Sequence, residues 1–140
     1  IDNTLRPLPD IENNSERCGT WMRVKKNVKA KLLPVCDKKY TGAKMLSSGV
    51  PVRVCGINKH FARVVMPDNQ SGFIQSRYLE DINHELFSHK TTSQLSLLDA
   101  PDDTALITDS IGKNTKVKVF GNFNGHYMVN HGNRYCWLKL

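Results

Sequence analysis

The sequence is short of the features that mark several large protein classes. No apolar run approaches the ~20 residues that a membrane-spanning helix needs, and no signal peptide is recognisable. There is no glycine-rich phosphate-binding loop and no C-x-x-C pair of the kind that holds structural zinc. These patterns do not predict a membrane-spanning, nucleotide-binding or zinc-stabilised protein. The chain begins at Ile1 rather than Met, and we expect a processed or trimmed product.

Catalytic and metal-binding constellations are also missing from the sequence. Cys136 lies between two aromatic residues in a strand-like stretch, where packing is its expected role. His126 and His131 precede it by ten and five residues, but no orienting acid or oxyanion turn accompanies them. None of the five histidines is spaced to complete a four-ligand metal site. The sequence therefore predicts a non-catalytic protein without a metal or another cofactor.

Positive charge is concentrated in one part of the chain. The net charge is +7, and residues 23–90 carry 13 basic and 5 acidic groups. Seven of the basic groups are closely spaced lysines: Lys25, Lys26, Lys29, Lys31, Lys38, Lys39 and Lys44. Such a patch favours anionic partners, namely wall polymers, lipid headgroups, nucleic acid or an acidic protein. The alternative is a solvated face that keeps the protein soluble.

The four cysteines form an even set in a small chain, which allows three pairings. An exported protein with one or two disulfides is the favoured interpretation, and four buried free thiols in a cytosolic domain are the alternative. A Cys18–Cys36 bond is preferred because it would tie the N-terminal tail to the first module. Cys55 and Cys136 would then join two modules or lie buried.

The hydrophobic pattern predicts two small β-domains after an N-terminal tail. Residues 1–21 carry no periodicity and are predicted to be an unstructured tail or linker. Alternating apolar residues in 22–82 predict strands over Val28–Leu32, Val50–Val54 and Phe61–Val65, with a long polar loop from Cys36 to Ser48. Met45-Leu46 in that loop is expected to dip into the core.

The pattern then repeats after a polar connection over residues 83–91. In the second domain, 92–140, Lys116–Gly121 parallels Pro51–Gly56 at an offset of 65 residues. His126-Tyr127 parallels His60-Phe61 at an offset of 66, and Trp137-Leu138 parallels Phe73-Ile74 at 64. A polar loop is expected over Asp102–Asp109. An internal repeat of this kind predicts two copies of one fold.

The stretch from Arg23 to Ile82 resembles the bacterial SH3 (SH3b) family. The ending Gly72-Phe73-Ile74-Gln75-Ser76-Arg77-Tyr78-Leu79 stands where family members carry a glycine, an aromatic, an aliphatic and S-S-R-Y-L. Asn27-Val28-Lys29, followed by Pro34, resembles the family's opening strand. The second copy ends at Leu140 without this S-x-x-Y-L ending. The resemblance implies an all-β protein made of two tandem SH3-like small β-barrels with a mostly unstructured N-terminal segment.

The resemblance also implies a binding site. SH3 folds place ligand-binding aromatics between the first loop and the loop after the third strand. Here Tyr78 matches the terminal tyrosine of that groove, and His60 stands at the groove tryptophan. The candidate ligand-binding residues are Tyr40, His60 and Tyr78 with Lys29, Lys31, Lys38 and Lys39. Because the first loop is basic rather than acidic, an ordinary polyproline partner is not expected.

The function implied by the resemblance is recognition of peptidoglycan or a cell-wall protein by a non-catalytic module. SH3b modules often accompany NlpC/P60 cysteine peptidases, but none of the four cysteines has the D-C-S/G context of that nucleophile. We expect an exported protein, periplasmic, on the cell surface or secreted, and a lipid-anchored precursor stays open. The alternatives are an adaptor, inhibitor or immunity protein and, less favoured, a basic barrel that binds nucleic acid.

Overall fold

The computed structural model describes residues 6–7, 19–37 and 39–140, and the chain divides into two compact units, Ile1–Asp81 and Ile82–Leu140. Fourteen β-strands and one 3-10 helix are present in these described residues, so the predicted all-β class is confirmed. Within the same residues, no helix combines the length and apolarity needed to span a bilayer.

Unit 1 is built on an antiparallel sheet with the order β7-β6-β5-β2-β8, and β1 also pairs with β5. Its strands are β1 (Arg6–Pro7), β2 (Thr20–Val24), β3 (Ala30–Leu32), β4 (Lys44–Leu46), β5 (Pro51–Ile57), β6 (Phe61–Val65), β7 (Ser71–Gln75) and β8 (Leu79–Asp81). β3 and β4 form a separate two-stranded sheet. The 3-10 helix Ser76–Tyr78 connects β7 to β8.

The β3–β4 hairpin is joined to the main sheet at β7. Leu33 and Phe73 exchange two backbone hydrogen bonds of 2.7 and 2.8 Å in an isolated antiparallel bridge. Glycine is required beside this bridge, because a Cβ on Gly72 would lie 2.7 Å from Leu32 Cδ1 and 2.8 Å from Leu33 O. Phe61 of β6 and Ile74 of β7 are buried in the core.

Two details of unit 1 differ from the sequence-based expectations. Arg6–Pro7, in the predicted unstructured tail, pairs antiparallel with Gly56 and Ile57 of β5, because backbone pairing at a sheet edge needs no apolar periodicity. Met45 is 50% exposed, whereas Leu46 is buried. Successive side chains of a strand point to opposite faces, so only one of these two can enter the core.

Unit 2 is a single sheet with the order β11-β10-β14-β13-β12-β9. Its strands are β9 (Phe87–Lys90), β10 (Leu95–Leu98), β11 (Ile107–Ile111), β12 (Lys116–Phe123), β13 (His126–His131) and β14 (Arg134–Leu138). Its core cluster consists of Leu97, Ile111, Val117, Val119, Val129, Cys136 and Leu138. In the described residues neither large sheet closes on itself, so the strand pairing does not establish the predicted barrels.

Both outer strands of this sheet lie where the sequence predicts irregular chain. β9 falls within the predicted connection 83–91, and β11 overlaps the predicted loop Asp102–Asp109. Each strand pairs on one side with β12 or β10, and its residues are mostly exposed. An edge strand whose two faces are both exposed to solvent needs no apolar alternation. Hydrophobic periodicity therefore does not predict such a strand.

The ladders β5–β6 and β12–β13 repeat one another, including an irregularity. The register shifts between Val54 and Gly56 in the first ladder and between Val119 and Gly121 in the second. These positions differ by 65 residues, as the sequence comparison of β5 with β12 predicts. A β-bulge at the same place of both ladders shows that the two units share this structural feature.

The offset of 66 assigned to His126-Tyr127 is wrong. Ile57 pairs with Ala62, and Asn122, 65 residues after Ile57, pairs with Tyr127, 65 residues after Ala62. His126 therefore takes the buried place of Phe61 rather than the exposed place of His60. Four residues separate the partners of each pair, so no residue is inserted between the copies here.

Candidate functional site

The 3-10 helix Ser76–Tyr78 and the β5–β6 turn form one corner of unit 1, which we call the helix corner. The backbone N–H of Ser76 donates to His60 O at 3.0 Å. The Ser76 hydroxyl donates to Asn58 O at 2.8 Å. These two bonds fix the turn that carries His60 against the helix that carries Tyr78.

The turn itself is organised by Asn58. Its Oδ1 accepts hydrogen bonds from the backbone N–H groups of His60 at 2.8 Å and Phe61 at 2.9 Å. This is an Asx turn, in which the side chain replaces backbone acceptors. The Phe61 ring is buried while the His60 imidazole is exposed, so the turn anchors itself in the core and presents the imidazole to solvent.

The aromatic ring of Tyr78 is half-buried and lies under a cation. The Arg77 guanidinium carbon is 4.7 Å from the Tyr78 ring centroid, and Arg77 Nη2 donates to Tyr78 Oη at 2.7 Å. On the other side, the backbone N–H of Lys25 donates to Tyr78 O at 2.9 Å. The corner thus combines an aromatic face with positive charge, which suits a ligand bearing carboxylate, phosphate or sugar hydroxyl groups.

The structure brings together only part of the predicted ligand-binding set. His60 and Tyr78 share the helix corner. Tyr40 lies in the β3–β4 connection, where its backbone N–H donates to Asp37 O at 3.1 Å, and none of the contacts found among the described residues links it to the corner. Lys29, Lys31 and Lys39 are exposed. Lys38 lies outside the described residues.

Arg77, Ser76 and Asn58 were not singled out as site residues from the sequence. Arg77 and Ser76 are inside the S-R-Y-L stretch that carries the family resemblance, so the motif contained a signal for them. For Asn58, the sequence indicates only a turn. Its carbonyl accepts a hydrogen bond from Ser76, which is 18 residues away, and local sequence does not predict such a contact.

A buried ion pair lies directly behind the helix corner. Arg23 Nε donates to Glu80 Oε2 at 2.8 Å, with side-chain exposures of 1% and 30%. The two residues are register partners in the β2–β8 ladder. Because β8 begins immediately after Tyr78, this pair holds the end of the helix onto the sheet.

Unit 2 contains a second polar cluster around the buried His126. Its Nδ1 donates to Asn124 O at 2.9 Å. Its Nε2 lies 3.2 Å from Asp103 Oδ1 but without hydrogen-bond geometry. The same carboxylate binds Lys139 Nζ at 2.8 Å. The hydrogen bond from Lys139, helped by the charges of Lys139 and His126, holds the pKa of Asp103 below its usual range.

His131 has a separate acidic partner. Its Nε2 lies 2.9 Å from Asp109 Oδ2. The backbone N–H of Ser110 and then the His131 side chain lower the pKa of Asp109. His126 and His131 stand at opposite ends of β13 and do not face each other across a turn. Within the part of the chain that the structure describes, no group of three or more histidine, cysteine or acidic residues is arranged to hold a metal ion.

The preferred Cys18–Cys36 bond is wrong, because Cys36 is a free cysteine. Burial raises the pKa of the Cys36 thiol. Cys136 is also free and is buried in the core of unit 2. It therefore does not join two modules through Cys55, which is disulfide-bonded. Cys18 lies outside the described residues. Pairing depends on which strands become neighbours, and spacing along the chain does not contain that information.

No family model matches the chain, and no curated protein matches it. Among solved structures, the chain is similar to NlpC2 from Trichomonas vaginalis, with 18% sequence identity and a TM-score of 0.45 over 88% of this chain and 46% of that one. It is also similar to NlpC1 from Trichomonas vaginalis, with 17% identity and a TM-score of 0.45 over 99% of this chain and 48% of that one. The chain spans about half the length of these two proteins.

Proposed function

We propose that the chain is a non-catalytic pair of SH3b-like modules that binds the cell envelope, with peptidoglycan or another anionic wall polymer as the ligand. The first module uses the helix corner for recognition, and the lysines around it attract the anionic polymer. The second module repeats the strand meander and adds a weaker contact with the polymer. No metal or other cofactor takes part in this function.

The SH3b-like arrangement is supported by the order of elements in unit 1. A long loop between β3 and β4 precedes the three-stranded meander β5–β6–β7, and the short closing strand β8 pairs back onto β2. The equivalent bulges of the β5–β6 and β12–β13 ladders support two copies of one module. Export to an oxidising compartment is supported by the disulfide-bonded Cys55.

The observation that carries the proposal is the bonded contact between the His60 turn and the Tyr78 helix. Two hydrogen bonds from Ser76 hold the turn, so the backbone segments that carry the exposed imidazole and the aromatic ring are fixed before a ligand arrives. A preorganised site loses less conformational entropy on binding than a flexible one. The Arg77 guanidinium makes this surface cationic.

Retention on isolated, lipid-free and nuclease-treated peptidoglycan sacculi, measured across a salt series, tests the proposal. We expect the purified chain to be retained at moderate salt. Tyr78→Ala and His60→Ala should each weaken retention about fivefold, since a ring contact or a hydrogen bond contributes on the order of 1 kcal/mol. His131→Ala is the matched control, because it removes an exposed histidine from unit 2.

Two results would contradict this function. The first is absence of the chain from the sacculus pellet at every salt concentration. The second is equal loss of retention in the His60→Ala and His131→Ala variants. This result would show that the helix corner is not the binding site. Retention that depends on omitting the nuclease would instead indicate nucleic-acid binding.

A protein-binding function is the second candidate, and β11 favours it. This strand is at the edge of its sheet, and Leu106 and Ile107 at its start are 73% and 67% exposed. Exposed strand edges with apolar side chains pair with strands of partner proteins. A stoichiometric complex that survives high salt and is lost in a Leu106→Ser/Ile107→Ser variant would support an adaptor or inhibitor.

A further inference from the structure

The exposed large hydrophobic side chains of unit 1 are confined to one hairpin. Among the described residues of this unit, they are Val35, Tyr40 and Met45, which are 48%, 40% and 50% exposed. All three fall within the connection between β3 and β4 or on β4 itself. We call the segment from Ala30 to Leu46 the basic hairpin. These three residues are at least five positions apart in the sequence.

The β3–β4 ladder of the basic hairpin holds the Met45 side chain outward. Ala30 and Leu46 are register partners and both are buried, whereas the next pair, Lys31 and Met45, are both exposed. The alternation of a β-ladder therefore places Lys31 and Met45 together on the outer face. The inner face is occupied by the core and by the Leu33 bridge to β7.

Lysines are frequent within the basic hairpin and just before it. Six lysines of this region are exposed: Lys25, Lys26, Lys29, Lys31, Lys39 and Lys44. Asp37 is the one acidic residue between positions 25 and 47 of the sequence, and its Oδ1 accepts the backbone N–H of Lys39 at 2.9 Å. The surface is thus strongly positive, with apolar side chains between the charges.

We propose that the basic hairpin docks on the surface of an anionic lipid bilayer. The lysines lie against the headgroups, and Val35, Tyr40 and Met45 enter the boundary between headgroups and acyl chains. Juxtaposed lysines and exposed apolar side chains are what interfacial binding requires, because the two contributions add.

Charge and apolar exposure together favour lipid over other anionic partners. Protein interfaces are depleted in lysine, whereas four lysines lie within this hairpin and three more, Lys25, Lys26 and Lys29, come shortly before it. A polysaccharide or polyphosphate would engage the lysines but leave Val35 and Met45 in water. A bilayer accepts both kinds of group without a shaped pocket.

This inference goes beyond the proposed function and uses a different surface. Wall recognition depends on His60 and Tyr78 of the helix corner, while lipid docking depends on the basic hairpin. The two are separable in experiment, because sacculi contain no bilayer and vesicles contain no wall. Failure of one assay leaves the other intact.

Co-sedimentation of the full chain with lipid vesicles tests the inference. The vesicles contain phosphatidylcholine alone or with roughly 30% phosphatidylglycerol, at about 0.1 M salt, where the screening length is about 10 Å. We expect binding to the anionic vesicles only. Lys31→Gln/Lys39→Gln/Lys44→Gln should weaken it more than tenfold, given roughly fivefold for each lysine at an anionic surface. Val35→Ser/Met45→Ser should weaken it about tenfold at unchanged charge.

Two control variants in unit 2 match these changes. Lys113→Gln/Lys116→Gln/Lys118→Gln removes three exposed lysines outside the basic hairpin. Leu106→Ser/Ile107→Ser removes two apolar side chains that are more exposed than Val35 and Met45 but lie in an acidic stretch. Both variants should bind anionic vesicles within about twofold of the parent chain, a difference of roughly 0.4 kcal/mol.

The outcomes decide the inference. Weakening by both hairpin variants and by neither control supports it. Loss with the lysine variant but not with Val35→Ser/Met45→Ser would overturn it in favour of a polymer held by charge alone. Equal binding to neutral vesicles, or equal effects of the hairpin and control variants, would also overturn it. Circular dichroism of each variant verifies that the sheets are intact.

Discussion

The buried ion pair Arg23–Glu80 provides the sharpest test of how the helix corner is held. The Arg23 side chain is 1% exposed and its Nε donates to Glu80 Oε2 at 2.8 Å, while the Glu80 side chain is 30% exposed. Glu80→Ala would therefore remove the carboxylate to which the buried Arg23 Nε donates. Removing one partner of a buried pair costs about 3–5 kcal/mol, and we expect about 3 kcal/mol because Glu80 keeps some contact with water.

Arg23→Met should be less damaging than Glu80→Ala. It replaces the buried cation by an apolar chain, and the remaining carboxylate reaches solvent. A cost of roughly 1 kcal/mol is expected, and the double variant Arg23→Met/Glu80→Ala should be no less stable than Glu80→Ala. A small domain has only about 5–15 kcal/mol of stability, so the Glu80→Ala change alone should lower the melting temperature by over 10 °C.

Urea unfolding followed by far-UV circular dichroism and tryptophan fluorescence measures these differences. Glu85→Ala is the matched control, because Glu85 is 34% exposed and pairs at 3.7 Å with Lys118, whose side chain is 63% exposed. An exposed pair of this kind contributes about 0–1 kcal/mol. If Glu80→Ala and Glu85→Ala have the same effect, burial of Arg23 does not determine the strength of the pair and the reasoning is refuted.

Three further predictions concern other parts of the chain. Gly72→Ala should destabilise unit 1 by about 1–3 kcal/mol in urea unfolding, because its Cβ would lie 2.8 Å from a backbone oxygen beside β3; an unchanged midpoint would contradict this. Iodoacetamide should label Cys36 in the native chain, and slowly, since burial raises its pKa, whereas Cys136 should react only after denaturation; peptide mapping distinguishes them. Lys139→Met should lower the stability of unit 2 near pH 6, and the difference should vanish in acid. A lowered pKa means that Asp103 stabilises the fold above about pH 3.9, its unfolded value, and loses this contribution as the pH falls through the folded value; a difference that persists at low pH would contradict it.

The sequence anticipated part of the helix corner. The family resemblance predicts His60 and Tyr78 as groove residues. In the structure, the hydrogen bonds of Ser76 hold together the two segments that carry them. The resemblance also predicts Tyr40 as a groove residue. Tyr40 lies in the β3–β4 connection, so its position depends on how that loop folds. Resemblance in sequence order predicts which residues belong to a groove only where the intervening loops keep the same path.

Local physical chemistry determined the elements that have a buried face. The alternation of valines in β5 and β12 requires a strand with one apolar side, and the 65-residue repeat predicts their equivalent positions. The turns are also determined by local residue type. All non-glycine residues with positive φ in the described chain are asparagines, the residue type that best tolerates this conformation. These are Asn27, Asn69, Asn114, Asn124 and Asn133.

Tertiary structure alone decided the features that depend on distant neighbours. The edge strands β9 and β11 form because β12 and β10 present unpaired backbone groups to them. Their own sequences show no apolar alternation that would predict a strand. His126 is buried because its position in the ladder matches that of Phe61. Cys36 is free although its spacing in the chain allowed a bond. Hydrophobic periodicity is encoded within a few residues, whereas strand partners, burial of a polar group and disulfide pairing depend on which segments the folded chain brings together.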